Sequence, residues 1–396
     1  MANLVVCLDG TWNNADSPAP QTNIARLAGT IDPKPIGAAP QRVYYDRGVG
    51  TAGLFDRITG GLLGVGLSAN ILEAYRFLSQ HYRPGDSIYI FGYSRGAFTA
   101  RSLCGFIAAS GLLKANLCNA RNERLAWRNY RTRPKERYPA DQVKLAKMAH
   151  ADVRVRFLGV FDTVGALGIP RKYLNWFGRS HFQFHDTEVS SVVDHSCHAL
   201  AIDEQRMEFE AAVWNEPRHR DYTTIEQVWF PGSHADVGGG NEDRALCDLS
   251  MHWMLSRVRK YCPELTLRSI ALNPDYRGTI HDARGILGGL LYWRSRWRPL
   301  MRLINRCGVP ADLRCRPSAF RPHSRPIGEM VHWSALVRWN ESKGGREHYA
   351  PPNLLAALDS VQEGRTLVVG SDGEPRKLSS FTSWRSDAAP EASYLM

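Results

Sequence analysis

Short hydrophobic segments separated by longer polar stretches run through the first two thirds of the chain. Two stretches between them have helical character, since residues 67–82 repeat apolar side chains every three or four positions and residues 97–110 are apolar throughout. The segments with the length and composition of strands are residues 4–8, 42–45, 87–91, 153–161 and 225–230. Strands that alternate with helices, two of them almost wholly hydrophobic, predict an α/β fold: a mostly parallel sheet covered by helices on both faces.

The same pattern divides the chain into two regions. Residues 1–265 carry the strand–helix alternation and predict a core domain, with polar, basic insertions at about 115–150 and 171–195. Beyond residue 265 the alternation gives way to sequence rich in Pro and Arg. We therefore expect residues 266–396 to form an accessory or lid region that packs on the core.

Composition places the chain among ordinary globular proteins. Of its 396 residues, 43% are hydrophobic and 22% charged, which excludes a disordered or collagen-like chain. The 8 Cys residues form no CxxC pair and several lie in apolar segments, so we expect buried free thiols. The amino terminus lacks the basic region of a signal peptide, and the longest apolar stretch, residues 58–72, is too short and Gly-rich to span a bilayer. Synthesis in the cytoplasm is the expectation.

The net charge of +11 is concentrated in two places, residues 111–150 and residues 284–306. Such surplus favours an anionic partner, although a solvated face that confers solubility is the alternative. The second segment mixes Arg with Trp and Leu, as at a membrane interface, and a cap over an active site would look similar. We expect no nucleic-acid partner. The candidate membrane-contacting residues are Trp293, Arg294, Arg296, Trp297 and Arg298.

A GxSxG motif supplies a candidate nucleophile. The strand at 87–91 runs directly into GYSRG at 92–96, and the apolar helix follows. In this strand–turn–helix context Ser94 would project from a tight turn, and close backbone approach would require Gly92 and Gly96. The motif alone is weak and an ordinary glycine turn is the alternative; its position between a buried strand and an apolar helix makes it specific.

Two further residues complete a candidate triad. Asp162 follows the strand at 153–161, and His234 lies on a Gly-rich loop after the strand at 225–230. Carboxyl ends of parallel strands share one edge of a sheet, where sites of open α/β folds form. The chain order Ser94, Asp162, His234 is that of the α/β-hydrolase fold. Asp236 is predicted to brace the histidine loop, and it is the alternative acid.

An acyl-transfer site also needs donors for the oxyanion. One predicted donor is the backbone N–H of Arg95, and the other is that of Gly10 or Thr11. The side chain of Asp9 could hold the loop of Gly10 and Thr11 by accepting hydrogen bonds from the backbone N–H groups of that loop. A plain turn after the first strand is the alternative for this loop.

Two other motifs suggest a metal site and a dinucleotide site, but each lacks the neighbouring sequence that such a site requires. The sequence HSCH at 195–198 invites a metal site, yet no second half stands at zinc spacing, so its histidines are expected to be structural or exposed. The sequence GVGTAG at 48–53 fits a dinucleotide-binding pattern, but no helix is predicted to begin at its glycines.

Long motifs of this chain resemble one family, that of α/β-hydrolase domains which includes the class 1 lipase effectors of type VI secretion. The resemblance runs from about residue 3 to about residue 257 and implies a Ser–Asp–His triad, carried onto Ser94, Asp162 and His234, that cleaves ester bonds without a cofactor. For effector members it implies phospholipase activity, export by a type VI system, and a secretion-carrier or immunity protein as partner. Effector members commonly carry a large membrane-anchoring region, whereas this chain has about 130 residues after the core. The motifs are LDGTWNN, RGVGT, PGDSIYIFGYSRGAFTAR, FLGVFDTVGALGIP and WFPGSHADVGGGN.

The sequence thus predicts a serine hydrolase that cleaves carboxylic esters, with phospholipids as the expected substrates and an anionic membrane surface as a possible partner. Two alternatives remain open. One is a metal-dependent phosphoesterase, for which carboxylates and one imidazole at strand ends would be the ligands. The other is a basic module that binds membranes without catalysis. The ligands of the first alternative would be Asp9, Asp162, His234 and Asp236.

Overall fold

A computed structural model of the chain describes most of its residues. The described ranges are 1–10, 20–48, 62–164, 189–206, 209–214, 223–281, 300–306, 316–317, 327–343 and 348–378.

A mixed sheet forms the centre of the described structure. Its nine strands follow the order β2-β1-β3-β4-β5-β6-β9-β10-β11, and all neighbours are parallel except the edge strand β11, which is antiparallel to β10. A separate parallel pair joins β7 to β8. The strands are β1 (Asn3–Leu8), β2 (Gln41–Asp46), β3 (Ser87–Tyr93), β4 (Val155–Phe161), β5 (Val193–Ala201), β6 (Thr224–Phe230), β7 (Leu300–Met301), β8 (Arg316–Pro317), β9 (Glu329–His332), β10 (Leu367–Val369) and β11 (Pro375–Arg376).

Helices connect and cover the strands. Local signals start several of them: Thr22 caps the first helix by accepting the N–H of Ala25, and Asn119 caps the fourth through the N–H groups of Arg121 and Asn122. The described helices are α1 (Asn23–Thr30), α2 (Leu62–His81), α3 (Arg95–Ser110), α4 (Ala120–Arg131), α5 (Pro139–Met148), α6 (His234–Gly238), α7 (Ala245–Tyr261), α8 (Trp333–Glu341) and α9 (Pro352–Gln362).

The sheet separates two hydrophobic cores. Side chains alternate between the faces of a strand, so in β1 Val5 and Cys7 belong to one core while Val6 and Leu8 belong to the other. The first core includes residues of α1, α7, α8 and α9, and the second includes residues of α2, α3, α4 and α5. Helices therefore cover both faces, which confirms the predicted α/β, α/β-hydrolase-like class.

One central strand was not predicted. The sequence suggested a polar insertion over residues 171–195, yet β5 begins at Val193 and pairs with β4 and β6. Polar residues interrupt its apolar pattern, because Ser196 and His198 are buried within the sheet. His198 Nε2 accepts the backbone N–H of Thr163 at 3.0 Å, while its Nδ1 has no hydrogen-bond partner among the described residues. The HSCH motif is thus part of a strand.

The region beyond residue 265 contributes to the same sheet. Strands β9, β10 and β11 extend it beside β6, and α8 and α9 add to the first core. The basic insertion near 115–150 forms α4 and α5, which pack on α3. The candidate membrane-contacting residues lie outside the described residues.

No helix in the described part of the chain is long and apolar enough to cross a bilayer. The six Cys residues that the structure describes are free thiols, and five of them are buried.

Candidate active site

A strained turn presents Ser94 between β3 and α3. Ser94 has φ of 57°, a conformation that non-glycine residues rarely adopt. The turn is closed by two glycines: a Cβ on Gly92 would lie 2.6 Å from the carbonyl oxygen of Gly96, and a Cβ on Gly96 would overlap the carbonyl oxygen of Leu8 in β1. Neither position accepts a side chain, and Ser94 is held at the carboxyl end of the sheet.

Asp162 and His234 meet at the same edge. Asp162 follows β4 and His234 begins α6 just after β6; both are buried, and His234 Nδ1 lies 2.5 Å from Asp162 Oδ2. A carboxylate at this distance holds the proton on Nδ1, which leaves Nε2 free to accept one. The backbone at Asp162 also has a positive φ, 38°. The pair has the orientation that a general base requires.

Asp162 is surrounded by donors. Its Oδ1 accepts the backbone N–H of Ala201 at 2.9 Å, and Arg302 reaches both carboxylate oxygens, at 2.6 Å from Nη1 to Oδ1 and 3.0 Å from Nη2 to Oδ2. Burial alone would raise the pKa of Asp162, but the charges of Arg302 and His234 and their hydrogen bonds hold it well below its usual range. Asp162 is therefore a carboxylate.

The His234 ring is fixed by aromatic neighbours. Tyr93 stacks on it with 4.7 Å between ring centroids, and Phe209 meets it edge-on at 4.8 Å. The Tyr93 hydroxyl donates to the carbonyl oxygen of His234 at 3.2 Å, and Glu204 accepts the His234 N–H at 3.3 Å. A Cβ on Gly238 would overlap the Tyr93 ring, so α6 packs directly on the residue that precedes Ser94.

The structure brings Asp162 and His234 into contact and places Ser94 beside Tyr93. Within the described residues no hydrogen bond joins Ser94 Oγ to His234. In enzymes without substrate this bond is often long and tightens only when substrate binds.

The two predicted oxyanion donors differ in their surroundings. Arg95 is the first residue of α3, directly after Ser94. Gly10 also lies beside Ser94, since a Cβ on it would be 3.4 Å from Ser94 Cβ, but its N–H donates to Asp9 Oδ1 at 2.7 Å. Asp9 thus holds the loop as the sequence suggested, and the Gly10 N–H is engaged. Thr11 lies outside the described residues.

Asp236 is engaged in the loop that carries His234. Its carboxylate accepts from the N–H and hydroxyl of Ser233, both at 2.9 Å, from Asn241 at 2.7 Å and from His281 at 2.6 Å. The bond from the Ser233 N–H is one half of a capping box at the start of α6, and in the other half the Ser233 side chain accepts the Asp236 N–H. They leave Asp236 bracing the loop, while Asp162 binds the imidazole.

The ligands considered for a metal-dependent phosphoesterase do not converge. Asp9 accepts hydrogen bonds from Tyr45 at 2.7 Å and Thr22 at 2.6 Å, away from the contacts of Asp236. Among the described residues no group of three or more His, Cys, Asp or Glu side chains is arranged to hold a metal ion. Of the dinucleotide-like sequence at 48–53, only Gly48 is described.

Sequence reasoning missed four residues of this site. Arg302 belongs to a basic segment whose pattern favoured membrane contact, and Glu204 follows the strand that was not predicted. Tyr93 lies inside the GxSxG motif, where its stacking on His234 follows from the motif's position at a strand end. Phe209 carried no signal, because only the folded chain brings it to the ring.

A strained serine turn and a buried acid–histidine pair at the carboxyl ends of a mostly parallel sheet define an α/β-hydrolase-like protein. A family model described as "T6SS, Phospholipase effector Tle1-like, catalytic domain" matches residues 2–257. The chain belongs to this family of type VI secretion phospholipase effectors.

Individual relatives and solved structures match the chain at low sequence identity. An uncharacterised protein of Saccharomyces cerevisiae, YEL023C, is 32% identical over 232 residues, which is 52% of this chain and 32% of the yeast protein. The chain therefore spans about a third of the length of that relative. Among solved structures, an uncharacterised protein from Pseudomonas aeruginosa is 19% identical with a TM-score of 0.40, covering 67% of this chain and 46% of that one. The Tle1 effector bound to the VgrG spike of the type VI secretion system is 20% identical with a TM-score of 0.37, covering 61% and 51%.

Proposed function

We propose that this protein is a serine hydrolase that cleaves carboxylic ester bonds of phospholipids. The observation that carries the proposal is the buried contact between His234 Nδ1 and Asp162 Oδ2 at the sheet edge that presents Ser94 in a strained turn. Membership in a family of phospholipase effectors supports the lipid substrate.

The chemistry follows the serine-triad pattern. His234 Nε2 takes the proton of Ser94 Oγ as that oxygen attacks the ester carbonyl carbon, and Asp162 stabilises the imidazolium that forms. The imidazolium then gives the proton to the leaving alkoxide, and an alcohol, here a lysolipid, departs. Water attacks the acyl-enzyme with His234 again as the base, and a fatty acid is released.

Two backbone N–H groups would stabilise the oxyanion. Arg95 offers one at the start of α3, where the helix dipole also favours negative charge. The second predicted donor is Gly10, whose N–H donates to Asp9, or Thr11, which lies outside the described residues.

The side chain of Arg95 favours a substrate with an anionic group. It is half-buried, and in the part of the chain that the structure describes it forms no hydrogen bond or ion pair. Burial lowers the pKa of this guanidinium. A cation that has lost part of its hydration is stabilised by an anion, and the phosphate of a phospholipid supplies one close to the scissile ester.

We also propose that the protein is exported by a type VI system, with a spike protein as its carrier. The family description, that of a type VI secretion effector, supports the export. Co-purification of the chain with a tagged spike protein from the same genome tests it, and a failure to co-purify under low salt contradicts it.

Mass spectrometry of products from vesicles of phosphatidylethanolamine and phosphatidylglycerol tests the hydrolase. Three proteins are compared, with and without a chelator: the unaltered chain, Ser94→Ala and Ser102→Ala. Ser102 is a matched control because it is a buried serine of α3, the helix that follows Ser94. We expect fatty acid and lysolipid from the unaltered chain and from Ser102→Ala in both conditions, and none from Ser94→Ala.

Other outcomes contradict the proposal in different ways. Release that survives Ser94→Ala removes the serine mechanism, and release that the chelator abolishes favours the metal-dependent alternative. No release from any of the three proteins excludes these phospholipids as substrates.

A further inference from the structure

Arg302 connects the candidate triad to a part of the chain outside the matched family region. The residue lies between β7 and β9, 45 positions beyond residue 257, and its side chain is 1% exposed. Besides both oxygens of Asp162, it donates to the carbonyl oxygens of Ala201, at 2.9 Å, and Phe209. A single guanidinium therefore ties together the end of β5, the segment of Phe209 that touches His234, and the triad acid.

The contacts of Arg302 affect the protonation state and orientation of Asp162 as well as the packing. Asp162 is fully buried, and a buried carboxyl without a cation takes up a proton more readily than one in water. A protonated Asp162 could neither fix the Nδ1–H form of His234 nor stabilise its imidazolium. The planar fork of an arginine holds two carboxylate oxygens at once, which also fixes the plane in which His234 is bound.

Among the described residues, the other charges near the pair do not replace Arg302. Arg206 lies on the same side, but its guanidinium is bound to both carboxylate oxygens of Glu204, at 2.9 and 2.8 Å. Tyr93 is neutral because burial raises its pKa well above the usual value. Among the described residues, the ionisable groups around the pair are Tyr93, Glu204, Arg206, Arg302, His198 of β5, whose pKa burial lowers to about 3, and Asp236 on the helix of His234, which binds His281.

We propose that Arg302 is a positioning residue of the active site, which keeps Asp162 a correctly oriented carboxylate and so makes the region beyond residue 265 part of the catalytic unit. The inference rests on the proposed serine-hydrolase function.

The test is the pH dependence of hydrolysis of p-nitrophenyl butyrate by the full chain and its variants. In Arg302→Met the carboxyl loses its cation, so its pKa rises and it becomes protonated at a higher pH than in the unaltered protein. We expect the acid limb of kcat/KM to move to higher pH by about one unit or more. Arg302→Lys keeps the charge but not the fork, and it should retain the original acid limb with a reduced kcat.

Arg257→Met is the matched control, because Arg257 is also 1% exposed and paired with carboxylates, those of Glu226 and Glu374. It should leave the acid limb where it is, as should any loss of stability alone. An unchanged acid limb in Arg302→Met, measured on folded protein, overturns the inference. Activity that persists in Ser94→Ala would instead contradict the serine hydrolase itself, so the two failures are distinguishable.

Discussion

The two ends of the central sheet use charge and backbone in different ways. At the amino ends, ion pairs such as Arg154–Asp194 are partly exposed, and the positive φ of Asp152, 53°, lies in a turn before β4. At the carboxyl ends, Ser94 and Asp162 both have positive φ, and the ion pair between Arg302 and Asp162 is fully buried. Strain and buried charge cost stability, so their coincidence at Ser94 and Asp162 supports the proposed active site at the carboxyl ends.

The same contrast separates the two most deeply buried arginines. Arg257 joins α7 to Glu226 of β6 and to Glu374, whose side chain is 43% exposed, so this pair reaches solvent. Arg302 binds a carboxylate with no exposure and two main-chain carbonyl groups. One arginine fastens elements of the fold, and the other fastens an acid that must remain charged.

The largest expected effect is at the carboxyl end. Asp162→Asn should lower kcat by about 10⁴-fold, because an amide no longer stabilises the imidazolium and permits the wrong tautomer of His234. Steady-state hydrolysis of p-nitrophenyl butyrate measures it. In the amino-end counterpart, Asp194→Asn, kcat should stay within a factor of a few of that of the unaltered protein. Equal losses of kcat in both variants would remove the distinction between the two ends.

A smaller, substrate-dependent effect is expected at Arg95. Arg95→Gln should lower kcat/KM for phosphatidylglycerol by roughly 10- to 100-fold, the size of a lost hydrogen bond to a charged group. Hydrolysis of a neutral diacylglycerol in the same detergent micelles should change little. Arg154→Gln, at the other end of the sheet, is the control, and parallel losses on both lipids would contradict a phosphate contact.

Arg257→Met should affect stability and leave catalysis intact. Removing this side chain leaves Glu226 buried with the Tyr261 hydroxyl as its donor, and breaking such a pair costs about 3 kcal/mol in the free energy of unfolding. Urea denaturation measures the loss, and kcat at 20 °C should match that of the unaltered chain. A fall in kcat of the folded variant would show that the amino end also influences the site.

The smallest effect is expected at an exposed position of the first helix. Gly29 lies exposed in α1 and a Cβ there meets nothing within 4 Å, so Gly29→Ala should raise the free energy of unfolding by about 0.5–1 kcal/mol. The same substitution at Gly96 should instead prevent the serine turn from closing. Urea denaturation of both variants, with far-UV circular dichroism as the signal, compares them.

Local sequence determined the elements that surround the candidate site. Regular hydrophobic patterns placed β1, β2, β3, β4 and β6 within two residues of their observed ends, and the glycines of GYSRG predicted the turn at Ser94. These features depend on neighbours along the chain, whose periodicity and steric limits can be read directly. The order Ser94, Asp162, His234 likewise follows from which strand each residue ends.

Only the tertiary structure showed strand β5 and the contact between Arg302 and Asp162. Strand β5 was hidden because Ser196 and His198 are buried polar residues, and the partner of His198 Nε2, the N–H of Thr163, lies 35 positions away along the chain. Arg302 lies 140 positions from Asp162, in a basic segment whose local pattern favours a lipid surface as much as a core. The sequence fixes the charge of such a side chain, while its partner depends on which loops the completed sheet brings to one edge.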